Sequence, residues 1–305
     1  MADRARVASI TASSAIEGIV VADGARADRI LAGRVTKLRN RSEQELAGYR
    51  DAQDYLFQRQ WQPLTSGLLV HLHRLLFAHT AADGGRFKHE DNLVVDSAAD
   101  GELTIRFRPV SATDTPFFVA ELIDRYRAEV AAQRHHPVLL VGLFALDLLV
   151  IHPFEDGNGR VTRALTNALL LDVGYTAPRY VSLEQQIAAT ADTYYRTLLE
   201  STHGWHDGQA DPWPWLGYFV DILAAAYRTF AERAASERGD GSKQDRVRDY
   251  VLQHSPATFR VADIRRALPG ISDPTIRVAL DRLRREGAIA SDGLGRAASW
   301  RRLRP

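Results

Sequence analysis

The chain has 305 residues, of which 25% are charged, with a formal net charge of +1. This length suffices for a sizeable core and two domains, and the near-neutral total excludes a uniformly basic or acidic chain. The absence of cysteine excludes disulfides and thiol catalysis. Because the sequence shows neither a signal peptide nor an unbroken apolar run of membrane length, we expect a soluble, cytoplasmic protein.

The first notable segment is the stretch S-I-T-A-S-S-A-I-E-G-I-V, residues 9–20. Ser13 and Glu17 are four apart, so in a helix they share one face. Ser14 and Glu17 also fit a capping box, in which the two side chains close the start of a helix. By spacing alone the capping box is the favoured interpretation.

Two helical segments follow as scaffold. The sequence R-S-E-Q-E-L-A-G-Y-R-D-A-Q-D-Y-L-F has the spacing of an amphipathic helix, and residues 64–77 form a second, more apolar one. His71 and His73 are two apart and cannot share a helical face, so we expect packing rather than a metal site.

Residues 81–108 differ from these helices. Two β-prone stretches, N-L-V-V-D-S and E-L-T-I-R-F-R, flank the turn-rich A-A-D-G. This pattern predicts a β-hairpin, and taken alone it is an ordinary surface hairpin.

The densest chemistry lies at residues 151–165. The nearly continuous apolar run from Pro137 to Ile151 predicts a buried helix, and helical spacing resumes after Gly159. The segment is therefore a helix, a tight loop and a second helix. Unpaired N–H groups at the start of that second helix, with glycines that allow close approach, form a cradle for phosphate.

Charged side chains surround the predicted cradle. Arg160 and Arg163 are three apart, which places two guanidinium groups beside it. Asp156 is a hard oxygen ligand, and Mg²⁺ is usually held by one or two carboxylates together with substrate phosphates. His152 can take up a proton near neutral pH. A base, a metal ligand and a phosphate cradle together indicate nucleotide chemistry.

Each feature has a simpler explanation, since a lone histidine after a helix is usually structural and G-N-G is usually a turn. Their coincidence is more specific. The run resembles the signature of the Fic family, His-x-Phe-x-(Asp or Glu)-Gly-Asn-Gly-Arg-x-x-Arg. Every fixed position is matched, by His152, Phe154, Asp156, Gly157, Asn158, Gly159, Arg160 and Arg163.

The resemblance implies AMP transfer from the co-substrate ATP to a protein hydroxyl, with release of pyrophosphate. It implies that His152 deprotonates the attacking Ser, Thr or Tyr and that Asp156 holds Mg²⁺. The loop 157–159 would bind the α and β phosphates, with support from Arg160, and Arg163 would bind the γ phosphate.

The same resemblance changes the interpretation of the N-terminal segment. Ser13-x-x-x-Glu17-Gly18 resembles the family's inhibitory helix motif, (Ser or Thr)-x-x-x-Glu-(Gly or Asn). The resemblance thus implies autoinhibition by Glu17, and it implies that Phe154 anchors the loop in the core.

The resemblance also assigns roles to the hairpin and to a pair of tyrosines. The hairpin would be the Fic flap, whose edge aligns the target segment as an added strand beside the histidine. The flap residues facing the nucleotide and target would be Val94, Val95, Asp96 and Ser97. Arg86 lies where the family often has a basic start to this segment. Tyr194 and Tyr195 would lie beside the adenine, although tyrosines on an amphipathic helix are usually core residues.

The C-terminal part of the chain is distinctly basic. Residues 243–305 carry 14 basic and 7 acidic residues, against 25 and 31 in residues 1–242. Three short helices, at 244–254, 261–268 and 272–286, precede a Gly-rich two-stranded pattern that resembles a winged helix-turn-helix. Four arginines of the third helix suit phosphate contact: Arg277, Arg282, Arg284 and Arg285. Such modules also bind proteins, so a DNA and a protein partner are both open.

The sequence thus predicts a mostly α, Fic-type helical bundle with a β-hairpin flap and a C-terminal winged helix. The expected parts are an N-terminal inhibitory region at 1–60, the catalytic domain at 61–234, a linker at 235–243 and the winged helix at 244–305. The expected function is a protein adenylyltransferase that modifies a protein hydroxyl, including its own. Three alternative functions remain: removal of AMP, phosphate transfer at the same site, and a nucleotide-sensing DNA-binding regulator. A homodimer is also possible by sequence.

Overall fold

A computed structural model describes residues 2–57, 61–97, 103–238, 242–292 and 299–303. The chain divides into two units, Met1–Phe230 and Ala231–Pro305, and each unit has its own hydrophobic core. Most of the described residues are helical, which confirms the predicted mostly α fold. Within the described ranges, no helix combines the length and the apolar character that a membrane span requires.

The first unit is built from helices with one two-stranded sheet. Its elements are α1 (Ala2–Ile16), α2 (Gly24–Leu31), α3 (Arg41–Phe57), α4 (Ser66–Phe77), β1 (Val94–Ser97), β2 (Leu103–Phe107), α5 (Thr115–Ala132), α6 (Pro137–Ile151), α7 (Asn158–Asp172), α8 (Leu183–Ala189), α9 (Ala191–Thr202) and α10 (Trp213–Arg238), the last of which continues into the second unit.

Helix α6 is the centre of the first core. Most of its residues are buried, as expected of a helix that is apolar on every side. It packs against α5 and α7, while α3 packs on α4 and α7. Helix α1 packs on α3, α7 and α8. This arrangement brings the N-terminal helix to the helix that follows the motif loop.

The predicted hairpin is confirmed as an antiparallel pair of β1 and β2, with Val95 opposite Ile105 and an irregularity between Val94 and Val95. Its expected turn lies outside the described residues, as do the side chains of Asp96 and Ser97.

Helix α10 is longer than the sequence predicted. It continues to Arg238, so the first four residues of the expected linker at 235–243 are helical. These residues are alanine, serine, glutamate and arginine, three of which are good helix formers, whereas the glycines that stop a helix come only afterwards.

The second unit contains α11 (Lys243–Asp249), β3 (Thr258–Arg260), α12 (Val261–Ala267), α13 (Asp273–Arg285), β4 (Ile289–Asp292) and β5 (Ser299–Arg302). The predicted pair of C-terminal strands is present, but β3 joins it in the order β3-β5-β4. The sequence did not reveal β3, because three residues are too few to show an alternating pattern.

Candidate active site

The loop between α6 and α7 contains two residues with positive φ. His152 ends α6 with φ 51°, and Gly157 precedes α7 with φ 80°. Only glycine suits position 157, because a Cβ there would also lie 2.7 Å from Leu76 Cδ2. A left-handed conformation is uncommon for a residue with a side chain such as His152, and such positions cluster at functional sites.

The hydrogen bonding of His152 determines which ring nitrogen can act. Nδ1 lies 3.2 Å from the Leu149 carbonyl oxygen. Because a carbonyl only accepts, Nδ1 carries the proton and Nε2 is the nitrogen able to accept one. Burial lowers the pKa of His152 to about 4; the bond to Leu149 opposes this shift and the nearby Lys88 ammonium adds to it. His152 is therefore a neutral base at pH 7.

Aromatic and amide contacts hold the loop in place. Phe154 is fully buried, as expected, and its ring stacks on His73 with 4.0 Å between centroids. Asn158 Oδ1 accepts from the Phe154 N–H at 2.9 Å and its Nδ2 donates to the Phe154 carbonyl at 2.8 Å. The Asn158 side chain thus fixes the conformation of the loop.

His73 ties three segments together, a role that sequence reasoning missed when it assigned this residue to packing. Its Nδ1 accepts from the Gly85 N–H at 2.9 Å, and Nε2 lies 3.1 Å from the Asp156 carbonyl oxygen, to which it donates. Burial lowers the pKa of His73 to about 4, so the ring stays neutral and can serve as donor and acceptor together.

Arg160 points into the core. Its side chain is 2% exposed and Nη1 donates to Glu45 Oε2 at 2.6 Å, while its guanidinium carbon lies 5.5 Å from the centre of the Phe77 ring. The pair with Glu45 uses Nη1, while the buried Nε has no hydrogen-bond partner among the described residues. Glu45 was not identified from the sequence. Its helical spacing from the apolar residues Tyr49, Ala52 and Leu56 places it on the buried face of α3, and a carboxylate on that face was the signal that could have revealed it.

Arg163, three residues further, contacts the N-terminal helix instead. Its Nε donates to Ser13 Oγ at 2.8 Å, and Nη2 donates to the Ser13 carbonyl at 3.1 Å and to Glu17 Oε1 at 2.7 Å. Burial alone would raise the pKa of Glu17, but the charge and hydrogen bond of Arg163, together with the nearby Arg160 and His152, lower the pKa overall. Glu17 is thus a carboxylate at neutral pH, and it lies so close to Gly159 that a Cβ there would overlap it.

The end of α1 excludes the capping box. Ser14 and Glu17 lie at the C-terminal end of the helix, where a capping box has no N–H groups to close. The Gly18 N–H donates to the Ala15 carbonyl at 2.9 Å and the Ile19 N–H donates to the Ser14 carbonyl at 2.9 Å, with Gly18 at φ 73°. This is a Schellman motif, and it explains why glycine follows Glu17.

Asp156 is an exposed carboxylate of the loop, next to the similarly exposed Glu155. Its side chain is 55% exposed, and Oδ1 accepts from the Gly157 N–H at 2.6 Å. The described residues contain no group of three or more His, Cys, Asp or Glu side chains that could hold a metal ion. A metal here would take one protein carboxylate and complete its shell with phosphate oxygens and water, as Mg²⁺ commonly does.

A cavity of about 570 Å³ lies between the β1–β2 hairpin and helices α6, α7 and α9. His152, Gly159, Arg163 and Glu17 line it. The rest of its lining is largely apolar and includes Val94, Val95, Phe107, Leu146, Leu149, Val150, Tyr194, Tyr195, Leu198 and Leu199. Tyr194, Tyr195, Val94 and Val95 therefore line the same cavity as His152 and Arg163.

Arg106 was not predicted as a site residue. It lies on β2, lines the same cavity, and its guanidinium carbon is 4.8 Å from the centre of the Tyr195 ring. Such a cation–π contact connects the flap to α9.

Comparisons with known proteins identify similar sequences. A model of the Fic/DOC family matches residues 63–170. The protein adenylyltransferase Fic of Drosophila yakuba is 29% identical over 140 residues, which cover 45% of this chain and 24% of that protein. Its namesake from Nematostella vectensis is 36% identical over 69 residues, 23% of this chain and 15% of that protein. The match therefore spans about a quarter or less of these relatives.

Solved structures share the fold. A Fic family protein from Desulfovibrio desulfuricans G20 superposes with a TM-score of 0.61 at 21% identity, covering 98% of this chain and 87% of that one. A Fic domain-containing signaling protein from Bacteroides thetaiotaomicron gives a TM-score of 0.58 at 24% identity, covering 73% and 86%.

Proposed function

Because the chain belongs to the Fic/DOC family and its matched relatives are named protein adenylyltransferases, we propose that it transfers AMP from ATP to a Ser, Thr or Tyr hydroxyl of a protein. One observation supports this most strongly: a histidine with Nε2 available lines the same cavity as Gly159 and Arg163 at the start of α7.

The chemistry follows from these positions. His152 Nε2 takes the proton of the hydroxyl, whose oxygen attacks the α phosphorus; the bond from that phosphorus to the bridging oxygen breaks, and pyrophosphate leaves. Backbone N–H groups at the start of α7 bind the phosphates, and Arg163 binds the terminal one. Asp156 would hold Mg²⁺, which supplies positive charge to the phosphates when bound.

The N-terminal helix supports a second part of the proposal, autoinhibition by Glu17. Arg163 already donates to Ser13 and Glu17, so the γ phosphate would have to compete with a carboxylate for the same guanidinium. A nucleotide bound without that anchor would have its α phosphorus turned away from the hydroxyl, and small misplacements cost large factors in rate.

The flap supports docking of an extended target segment. Val95 on β1 is 42% exposed and Ile105 opposite it on β2 is 45% exposed. In a two-stranded sheet both strands are edges, and an extended peptide can add to β1 by main-chain hydrogen bonds. The hydroxyl of such a segment would then enter the side of the cavity that holds His152.

Transfer from differently labelled ATP tests the reaction. The protein is incubated with Mg²⁺ and ATP labelled at the α or the γ phosphate, with His152→Ala as the control. We expect label on protein only from the α position and none with the control. Label only from the γ position would mean that the protein transfers phosphate. If no label is incorporated and AMP is lost from a previously modified protein, the activity is removal of AMP.

For the second unit we propose a winged helix-turn-helix. Supporting observations are the turn at Gly270, with φ 96°, between α12 and α13, and the antiparallel pairing of β4 with β5. Nucleic-acid contact by α13 is testable by titrating the full chain and its Arg277→Ala variant with random duplex at several salt concentrations. Loss of one phosphate contact should reduce the salt slope by about 1; no binding at low salt would favour a protein partner.

A further inference from the structure

Asp156 belongs to a closed ring of four charged side chains. Arg41 Nε pairs with Glu45 Oε1, and Glu45 Oε2 accepts from Arg160 Nη1 at 2.6 Å. Arg160 Nη2 lies 3.7 Å from Asp156 Oδ1, and Arg41 Nη2 donates to Asp156 Oδ2 at 3.3 Å, which closes the ring. Two guanidinium groups and two carboxylates alternate, so the charges of the ring balance without any metal.

The two halves of the ring differ in freedom. The side chains of Arg160 and Glu45 are 2% and 3% exposed, and packing holds them. Those of Arg41 and Asp156 are 72% and 55% exposed. An exposed ion pair is weak and can exchange partners. Rearrangement of the ring must therefore occur at the contact between Arg41 and Asp156.

That contact occupies the oxygen that a metal would use. Oδ1 of Asp156 already accepts from the Gly157 N–H at 2.6 Å and faces Arg160. Oδ2 is the oxygen left for an incoming ion, and it is the one to which Arg41 donates. Mg²⁺ binds carboxylate oxygen at about 2.0–2.1 Å, so an ion on Oδ2 would face the Arg41 guanidinium at short range and be repelled.

We propose that Arg41 competes with the metal ion for Asp156 Oδ2, so that the metal enters the site only together with the phosphates of the nucleotide. This inference rests on the proposed function, which places the metal at Asp156. A lone divalent ion must displace one guanidinium and lies near a second, Arg160. A metal ion that arrives bound to a triphosphate brings compensating negative charge. The displaced Arg41 stays close to that charge, because its ion pair with Glu45 holds it near the site.

Binding of Mn²⁺, followed by electron paramagnetic resonance, tests this without catalysis. The full chain is titrated with and without an ATP analogue whose α and β phosphates are joined by a methylene group. The variants are Arg41→Gln, Asp156→Asn and their combination. Arg196→Gln is the matched control, because Arg196 is also exposed and paired at i,i+4, with Glu200 at 3.0 Å. Arg41→Lys, whose single ammonium cannot fork between two carboxylates, is the second variant if the glutamine does not fold.

Without nucleotide, we expect Arg41→Gln to bind Mn²⁺ about fivefold more tightly than the unchanged chain. The gain should be absent from Arg196→Gln and lost when Asp156→Asn is added; Arg41→Lys should show a smaller gain. Unchanged or weaker Mn²⁺ binding by both Arg41 variants would overturn the competition. If Asp156→Asn alone leaves Mn²⁺ binding with the analogue unchanged, the metal is not at Asp156, and the proposed function loses its metal site along with this inference.

Discussion

One arginine ion pair of the first unit is buried, whereas one of the second unit is exposed. Around the motif loop, the side chains of Arg160 and Glu45 are 2% and 3% exposed. In the second unit, those of Arg284 and Asp281 are each 53% exposed. The first pair is enclosed by packing and defines where the loop lies, whereas the second is surrounded by water and contributes little.

Several arginines of the second unit pair with carboxylates of the same unit. The four arginines of α13 suggested a basic surface, yet Arg284 lies 3.1 Å from Asp281 and Arg282 lies 3.1 Å from Glu286. Arg265 of α12 is likewise paired with Asp273 at 2.6 Å. Arg265, Arg282 and Arg284 are thus engaged by carboxylates of the same unit, and Arg277 is the better residue for a test of nucleic-acid binding.

The largest expected effect is on stability, and it should differ between the buried pair and the exposed pair. Glu45→Gln leaves Arg160 buried without its carboxylate, and loss of one partner of a buried pair costs about 3–5 kcal/mol. Asp281→Asn, the matched change in the exposed pair, should cost less than about 1 kcal/mol. Urea unfolding of both variants measures the difference, and equal losses would show that burial does not separate the two pairs.

The next effect depends on pH and concerns His73, the buried α4 histidine that contacts the loop. The pKa of His73 is about 4 in the folded chain and about 6.5 when unfolded. Between these values the unfolded state binds the extra proton, so the stabilisation is complete above about pH 6.5 and is lost as pH falls towards 4. The free energy of unfolding should fall by up to about 3 kcal/mol over this window.

Replacement of the His73 imidazole by a side chain that does not titrate isolates the contribution of His73 to the pH dependence of stability. His73→Gln should flatten the dependence of stability on pH between about 6.5 and 4 relative to the unchanged chain. A slope that persists unaltered in the variant would assign it to other groups, and the neutral role of His73 between Gly85 and Asp156 would then be wrong.

A third prediction concerns Arg163, whose partner is only partly enclosed, since the Glu17 side chain is 32% exposed. Such a pair should be displaceable, unlike that of Arg160. Glu17→Gly should raise self-modification by about 10-fold to 100-fold, because the γ phosphate then has its anchor to itself. Adding Arg163→Ala should erase the gain. Label incorporation from α-labelled ATP measures both, and unchanged transfer by Glu17→Gly would remove Glu17 from regulation.

The smallest effect tests how Glu17 is presented. Gly18 holds φ 73° in the Schellman motif at the end of α1, and alanine there costs about 1 kcal/mol. Gly18→Ala should therefore lower stability slightly and raise transfer by less than Glu17→Gly. Melting temperature and label incorporation are measured on the same sample; transfer equal to that of Glu17→Gly would mean that the backbone turn, rather than the carboxylate, controls the site.

Local sequence determined much of this protein. The nearly continuous apolar run predicted α6 with its observed bounds, and the order of His152, Asp156 and the two glycines predicted a base and a glycine-lined loop before α7. The two β-prone stretches predicted the β1–β2 hairpin. These features depend on residues within a few positions of one another, where periodicity and backbone preference act directly.

Tertiary structure alone decided the partners of the charged groups. Arg160 and Arg163 are three apart and were expected on one face, yet one pairs with Glu45, 115 positions away, and the other with Glu17, 146 positions away. The same holds for His73, which bonds to Asp156 across 83 positions. Helical spacing states only which side of a helix a residue occupies. Which distant group meets it there depends on how α1, α3 and α4 pack around α7, and a buried charge takes whichever counter-charge that packing supplies.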